Sequence, residues 1–259
     1  AAGLLLGEDD ERFLVLSLKL GEALTASGHH LAAEMVLKEA IASSTAHPLL
    51  RVRLHAALAQ LLTVRELTDE AVVVRRQAVG QALTAGAAGL VLENTLALAT
   101  LLERQGEIEE AISELDEALL LLSAAEESAP PDLWRLLLRL AELRQRRGEG
   151  DAALRLAARG LEQARRERSL EGQGRSHLAL ARWIDAEAQL DEAEAALTAA
   201  VAAFRRLGDR RSVAECLLYR ARIQPARRAS LAEEARDLAR QVQWREGLAE
   251  ASRLLTEAA

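Results

Sequence analysis

At 259 residues the chain is long enough for one large domain or two small ones. Half of it is hydrophobic but only 2% is aromatic, so its core must be built from Leu, Ala and Val, a composition suited to close helix-on-helix contact. A net charge of −7 disfavours a general nucleic-acid binder, because neutralising phosphates needs a clustered basic surface.

The elements repeat along the chain. Ala33, Ala71, Ala111, Ala153 and Ala193 succeed one another at gaps of 38, 40, 42 and 40 residues. Thirteen residues before each stands a leucine and then a small residue: Leu20-Gly21, Leu58-Ala59, Leu98-Ala99, Leu140-Ala141 and Leu180-Ala181. Seven residues after each stands another small residue: Ala40, Ala78, Ala118, Gly160 and Ala200. A fixed period of this length predicts a stacked array whose function lies on an extended surface.

Residues 1–9 read as a remnant or linker. The first unit, 10–45, has a helical face of Leu16, Leu20, Gly21 and Leu24, ends that helix at Gly28, and continues with Ala33, Leu37, Ala40 and Ile41. The second, 49–85, has a turn without glycine, where Thr68 is the expected N-cap. The third, 90–124, is the clearest, with Gly106-Glu107 between its helices. A polar, proline-containing segment, 123–132, predicts a longer loop before the fourth unit, 133–168. The fifth spans 172–207, and the sixth, 209–241, is degenerate, with an enlarged turn at Pro225 and a capping-box pattern from Ser230 to Glu233. Residues 245–259 predict a closing helix, apolar on the side of Leu248, Ala251, Leu254 and Leu255.

The chain begins Ala1-Ala2-Gly3 and has its one methionine at Met35, so it is expected to be a fragment or a processed product. A single cysteine, Cys216, excludes an internal disulfide; it reads as a small core residue. No apolar run approaches the roughly 20 residues that span a bilayer, and no signal peptide is visible, so a cytoplasmic location is expected. No catalytic triad pattern, phosphate-binding loop or zinc motif is present, so neither enzyme activity nor a cofactor is expected. His29-His30 beside Glu34 lacks a further metal ligand, and Trp134, Trp183 and Trp244 read as packing residues at unit junctions.

The leucine-small pair, the Gly106-Glu107 and Gly148-Glu149 turns and the phased small residues resemble tetratricopeptide repeats. The period near 40 and the phrase Arg206-Leu207-Gly208-Asp209 resemble the long-repeat variety found in kinesin light chains and bacterial signalling regulators. His55 and His177 stand where that family often has an aromatic residue. The resemblance implies an all-α, right-handed superhelical solenoid of antiparallel helix hairpins, with the first helices lining a concave face. Mapping by phase puts Leu18, Ala56, Leu96, Leu138, Leu178 and Leu218 on that face. Beside them runs a polar row, Glu22, Gln60, Thr100, Glu142, Arg182 and Arg222, that turns from acidic to basic. A further step gives Thr25, Thr63, Glu103, Gln145 and Asp185. Arg135, Arg139, Arg146, Arg175 and Arg182 cluster on or near this face and suit a carboxylate or phosphate, or else form a solvated Arg/Glu face. The leucines either anchor a partner helix or peptide or simply pack between neighbouring helices. The expected function is a scaffold or adaptor within a larger bacterial regulatory protein. The alternative is a sensor that controls an attached kinase, ATPase or transcription domain. The partner expected is a protein or peptide, neither nucleic acid nor membrane.

Overall fold

The computed structural model describes residues 2–123, 130–184 and 189–258. Asp185 and most of the 123–132 segment lie outside them. The described residues form α-helices and no strand, and the chain divides into two compact units, residues 1–130 and 131–259.

The first unit holds three consecutive helix pairs: α1 (Ala2–Ala26) with α2 (His30–Ser43), α3 (Pro48–Val64) with α4 (Thr68–Thr84), and α5 (Ala88–Gln105) with α6 (Ile108–Ser123). Residues 2–9, expected as a remnant or linker, are the first turns of α1. Pro48 stands at the start of α3, where its missing N–H forfeits no helical bond. Each second helix also meets the next first helix, α2 against α3 and α4 against α5, so the pairs stack. The phased alanines lie at these crossings: Ala33, Ala71 and Ala111 are fully buried. Small residues there let helix backbones approach closely, and leucines such as Leu37, Leu98 and Leu115 fill the space beside them. Gly21 marks the tightest approach: a Cβ on it would stand 2.5 Å from Leu37 Cδ2.

One expected face fails in α1. Leu16 and Leu20 are 66% and 50% exposed, whereas Leu14, Ser17 and Gly21 are buried. The equivalent Leu54 and Leu58 of α3 are closed over because α3 packs against α1, α2 and α4. No hairpin precedes α1 among the described residues to do the same.

The second unit holds α7 (Leu133–Arg146) with α8 (Gly150–Arg166), α9 (Leu170–Trp183) with α10 (Leu190–Leu207), α11 (Arg210–Ile223) with α12 (Arg228–Gln241), and a final helix, α13 (Arg245–Thr256). Leu197, Phe204, Leu217, Leu231, Ala251 and Leu254 belong to one buried cluster there, so α13 closes over the α11–α12 pair. Gly172 admits the Trp134 ring: a Cβ on it would lie 2.8 Å from Trp134 Cδ2. The Trp134 indole N–H is satisfied by Asp132 Oδ1 at 3.0 Å.

The turns share one conformation. Gly28, Gly106, Gly148 and Gly208 have φ between 72° and 87°, the left-handed region that favours glycine. Glu66 and Arg168 occupy the same region at φ 61° and 56° where glycine is absent. Two expected caps are displaced. Thr68 is the first residue of α4 and makes no capping bond, and Ser230 lies inside α12, donating to the Arg227 carbonyl at 3.1 Å. A single 3-10 turn at Pro225–Arg227 has already started the chain coiling before Ser230. The side chains that do cap are Ser169 on α9 and Asp209 on α11, which accept from the Gly172 and Ser212 amides at 3.1 and 3.0 Å.

Candidate functional site

The first unit contains a cavity of about 850 Å³. Three first helices form its sides. Leu18, Glu22 and Thr25 reach it from α1, Arg53, Ala56 and Gln60 from α3, and Leu90, Glu93 and Asn94 from α5. Leu18, Ala56, Glu22, Gln60 and Thr25 are residues that the phase map assigned to the inner face. Leu18 and Leu96 are half-buried, and Leu96 is absent from the lining.

The cavity floor comes from a second helix. Arg75 of α4 reaches it although only 7% exposed, and its Nη1 donates to Asn94 Oδ1 at 2.9 Å. The Asn94 amide is fixed from its other end, where Nδ2 donates to the Leu90 carbonyl at 2.7 Å. Arg75 Nε is buried and has no hydrogen-bond partner. Burial lowers the guanidinium pKa from its ordinary value, since desolvation penalises the charged form. Arg53, Glu22 and Glu93 also line the cavity, and no ion pair holds any of them among the described residues.

Neither Arg75 nor Asn94 belongs to a sequence motif, but Arg75 breaks the repeat. Four residues after the phased alanines stand Leu37, Arg75, Leu115, Ala157 and Leu197, and all but Arg75 are fully buried and apolar. Seventeen residues before those alanines stand Leu16, Leu54, Asn94, Leu136 and Ser176. Arg53 and Glu93 share the register of Arg135 and Arg175, so they too were legible by phase.

The second unit has two smaller hollows. One, of about 280 Å³, lies against Leu138, Arg139, Glu142, Arg146, Arg175 and Leu178, and the other, of about 290 Å³, includes Arg182, Leu218 and Arg222. Leu138, Leu178 and Leu218 are only 7%, 4% and 4% exposed, so they form buried floors rather than a presented stripe. Neighbouring helices in the same unit cover them. The arginines are largely engaged. Arg139 meets Glu142 at 3.0 Å, Arg175 meets Glu171 at 3.4 Å, Arg182 meets Glu215 at 2.5 Å and Arg222 meets Glu250 at 2.9 Å. The basic end of the polar row is thus offset by carboxylates, whereas Arg135 remains exposed on α7.

Among the described residues no group of three His, Cys, Asp or Glu side chains could hold a metal ion. Glu34, beside His29-His30, bonds instead to Lys38 and Arg65. Burial pushes the Cys216 thiol up to about 12, leaving a protonated core side chain. His55 is also buried, and its Nδ1 lies 2.8 Å from the Arg51 carbonyl, which requires a proton on that nitrogen. No helix among the described residues is long and apolar enough to cross a membrane.

No family model and no curated protein matches the chain in sequence. Solved structures match its fold. A Podosopora anserina kinesin light chain with nearly identical TPR-like repeats aligns at 22% identity over 75% of this chain and 96% of its own, with a TM-score of 0.56. A signal-transduction ATPase with a tetratricopeptide repeat sensor from Pyrococcus horikoshii aligns at 13% identity over 93% of this chain and 38% of its own, with a TM-score of 0.74. A Rap protein complexed with competence and sporulation factor aligns at 16% identity over 96% of this chain and 64% of its own, with a TM-score of 0.56. With its successive packed helix pairs and these likenesses, the chain has the tetratricopeptide-like helical-solenoid fold.

Proposed function

We propose that this chain is an interaction module that binds a peptide or short helical segment of another protein in the groove of its first unit. The supporting observation is the cavity of about 850 Å³, flanked by three first helices and holding charged side chains without ion-pair partners. Its walls supply apolar contact through Leu18, Ala56 and Leu90, and its polar rim supplies orientation. The module serves as the scaffold or adaptor part of a bacterial regulatory protein. A second reading, a sensor governing an attached effector, draws support from likeness to an ATPase described as having a tetratricopeptide repeat sensor and to a Rap protein complexed with a named factor.

Ala57, half-exposed on the cavity wall, gives the test. Peptides selected from a random library on the unmodified chain should lose at least tenfold in affinity for Ala57→Trp, which fills the cavity, while the helical circular-dichroism signal stays unchanged. Equal affinity for the folded variant would place the contact elsewhere and refute the groove.

A further inference from the structure

We propose that Arg75 and Asn94 form an anchor in the floor of the first-unit groove for a carboxylate on the bound peptide, either an acidic side chain or the C-terminus. The proposal rests on the groove reading above and specifies what chemistry enters it.

Three observations carry it. First, a guanidinium that is 7% exposed has only a neutral amide as its identified partner, and its Nε–H has no acceptor. Buried charges are ordinarily paired, because an unpaired one costs far more than its neighbours return. Second, this arginine borders a cavity large enough for several peptide residues, although its Nε itself is closed off from solvent. Third, the repeat has no structural need of it. The same register holds Leu37, Leu115, Ala157 and Leu197 in the other hairpins, while the register of Asn94 holds buried Leu54, Leu136 and Ser176 and exposed Leu16. Arg75 and Asn94 touch each other across the α4–α5 contact. Asn94 occupies Nη1 and Nε is closed off from solvent, so a carboxylate would meet the guanidinium at Nη2.

The surrounding charge selects among anions. Arg53 adds a second positive group, while Glu22 and Glu93 stand on the same walls. A dianionic phosphate would meet both carboxylates. A peptide carboxylate carries one charge, and the backbone amides beside it can donate to Glu22 and Glu93.

Nitrogen-proton NMR of the full chain reads the Arg75 Nε–H directly, with Arg75→Gln identifying the resonance. Sodium acetate should shift that signal saturably, and inorganic phosphate should shift it less. Peptides selected on the unmodified chain should bind at least tenfold more weakly when their carboxylate is converted to an amide, by C-terminal amidation or Glu→Gln replacement. Arg75→Gln should bind the acid and amide forms equally, and Arg75→Lys should retain a reduced preference for the acid. An Nε–H signal unmoved by acetate and by the acid peptides would overturn the anchor, as would a tenfold acid preference surviving in Arg75→Gln. A stronger response to phosphate would overturn the carboxylate assignment. Peptides that require the open groove yet ignore amidation would overturn the anchor and leave the interaction module standing. An acetate response without any peptide binding would support the anchor and remove the peptide reading.

Discussion

Arg75 shows how a single residue can sit against the interest of the fold. Its guanidinium is desolvated and has one identified neutral partner, whereas leucine in the same register buries its whole side chain in Leu37, Leu115 and Leu197. Replacing a buried polar pair by apolar residues of suitable volume is often stabilising. The double variant Arg75→Leu, Asn94→Leu should therefore raise the unfolding free energy by about 1–3 kcal/mol. Asn94→Leu alone should lower it by about 1–3 kcal/mol, because it strands a buried donor. Urea titrations of the two variants test this. A destabilised double variant would show that the pair serves packing. The pair was readable in the sequence as a break in phase, but its meaning was not. An arginine between buried registers reads equally as a surface residue until the α4 side chain is seen beneath α3 and α5.

At the scale of the element, the small residues decide how closely helices cross. Ala111 is fully buried, so Ala111→Phe should overpack that crossing and cost about 1–3 kcal/mol. Leu120, on the next helical turns of the same helix, is 72% exposed, and Leu120→Phe should change stability by less than about 0.5 kcal/mol. Thermal unfolding of both decides it, and equal losses would refute the register. Helix existence and phase were legible because leucine and alanine recur at helical spacing. Helix starts were less so. Thr68 and Ser230 have capping side chains, but Leu67 takes the N-cap position before Thr68, and Ser230 falls inside α12 because the backbone before it already coils. The glycine-free turn at Glu66 closes with the same left-handed backbone as the glycine turns, since the chain must reverse between packed helices whatever residue is there.

For the molecule as a whole, α13 closes the end of the second unit. Leu254 is 1% exposed and shares a buried cluster with Leu217 and Leu231. Deleting residues 245–259 should uncover that apolar surface, at roughly 1.5–3 kcal/mol for each large side chain exposed. Hydrogen exchange should then accelerate in α11 and α12, and the truncated chain should self-associate in sedimentation experiments. Unchanged exchange in a monomeric truncated chain would show that α13 does not cap the unit.

The sequence by itself determined the helical class, the repeat and the buried small residues, because periodicity and residue size act locally and recur five times. It also put Leu18, Ala56, Glu22, Gln60 and Thr25 at matching positions of the first helices, and all five line one cavity of the first unit. Only the tertiary structure decided which of the residues at these positions remain available. Leu138, Leu178 and Leu218 share the phase of Leu18, yet neighbouring helices bury them, and nearby glutamates engage Arg139, Arg182 and Arg222. Phase fixes the direction in which a side chain leaves its own helix. Burial and charge pairing depend on what the adjacent helices bring to meet it, and at Arg75 they bring a neutral amide and an open cavity.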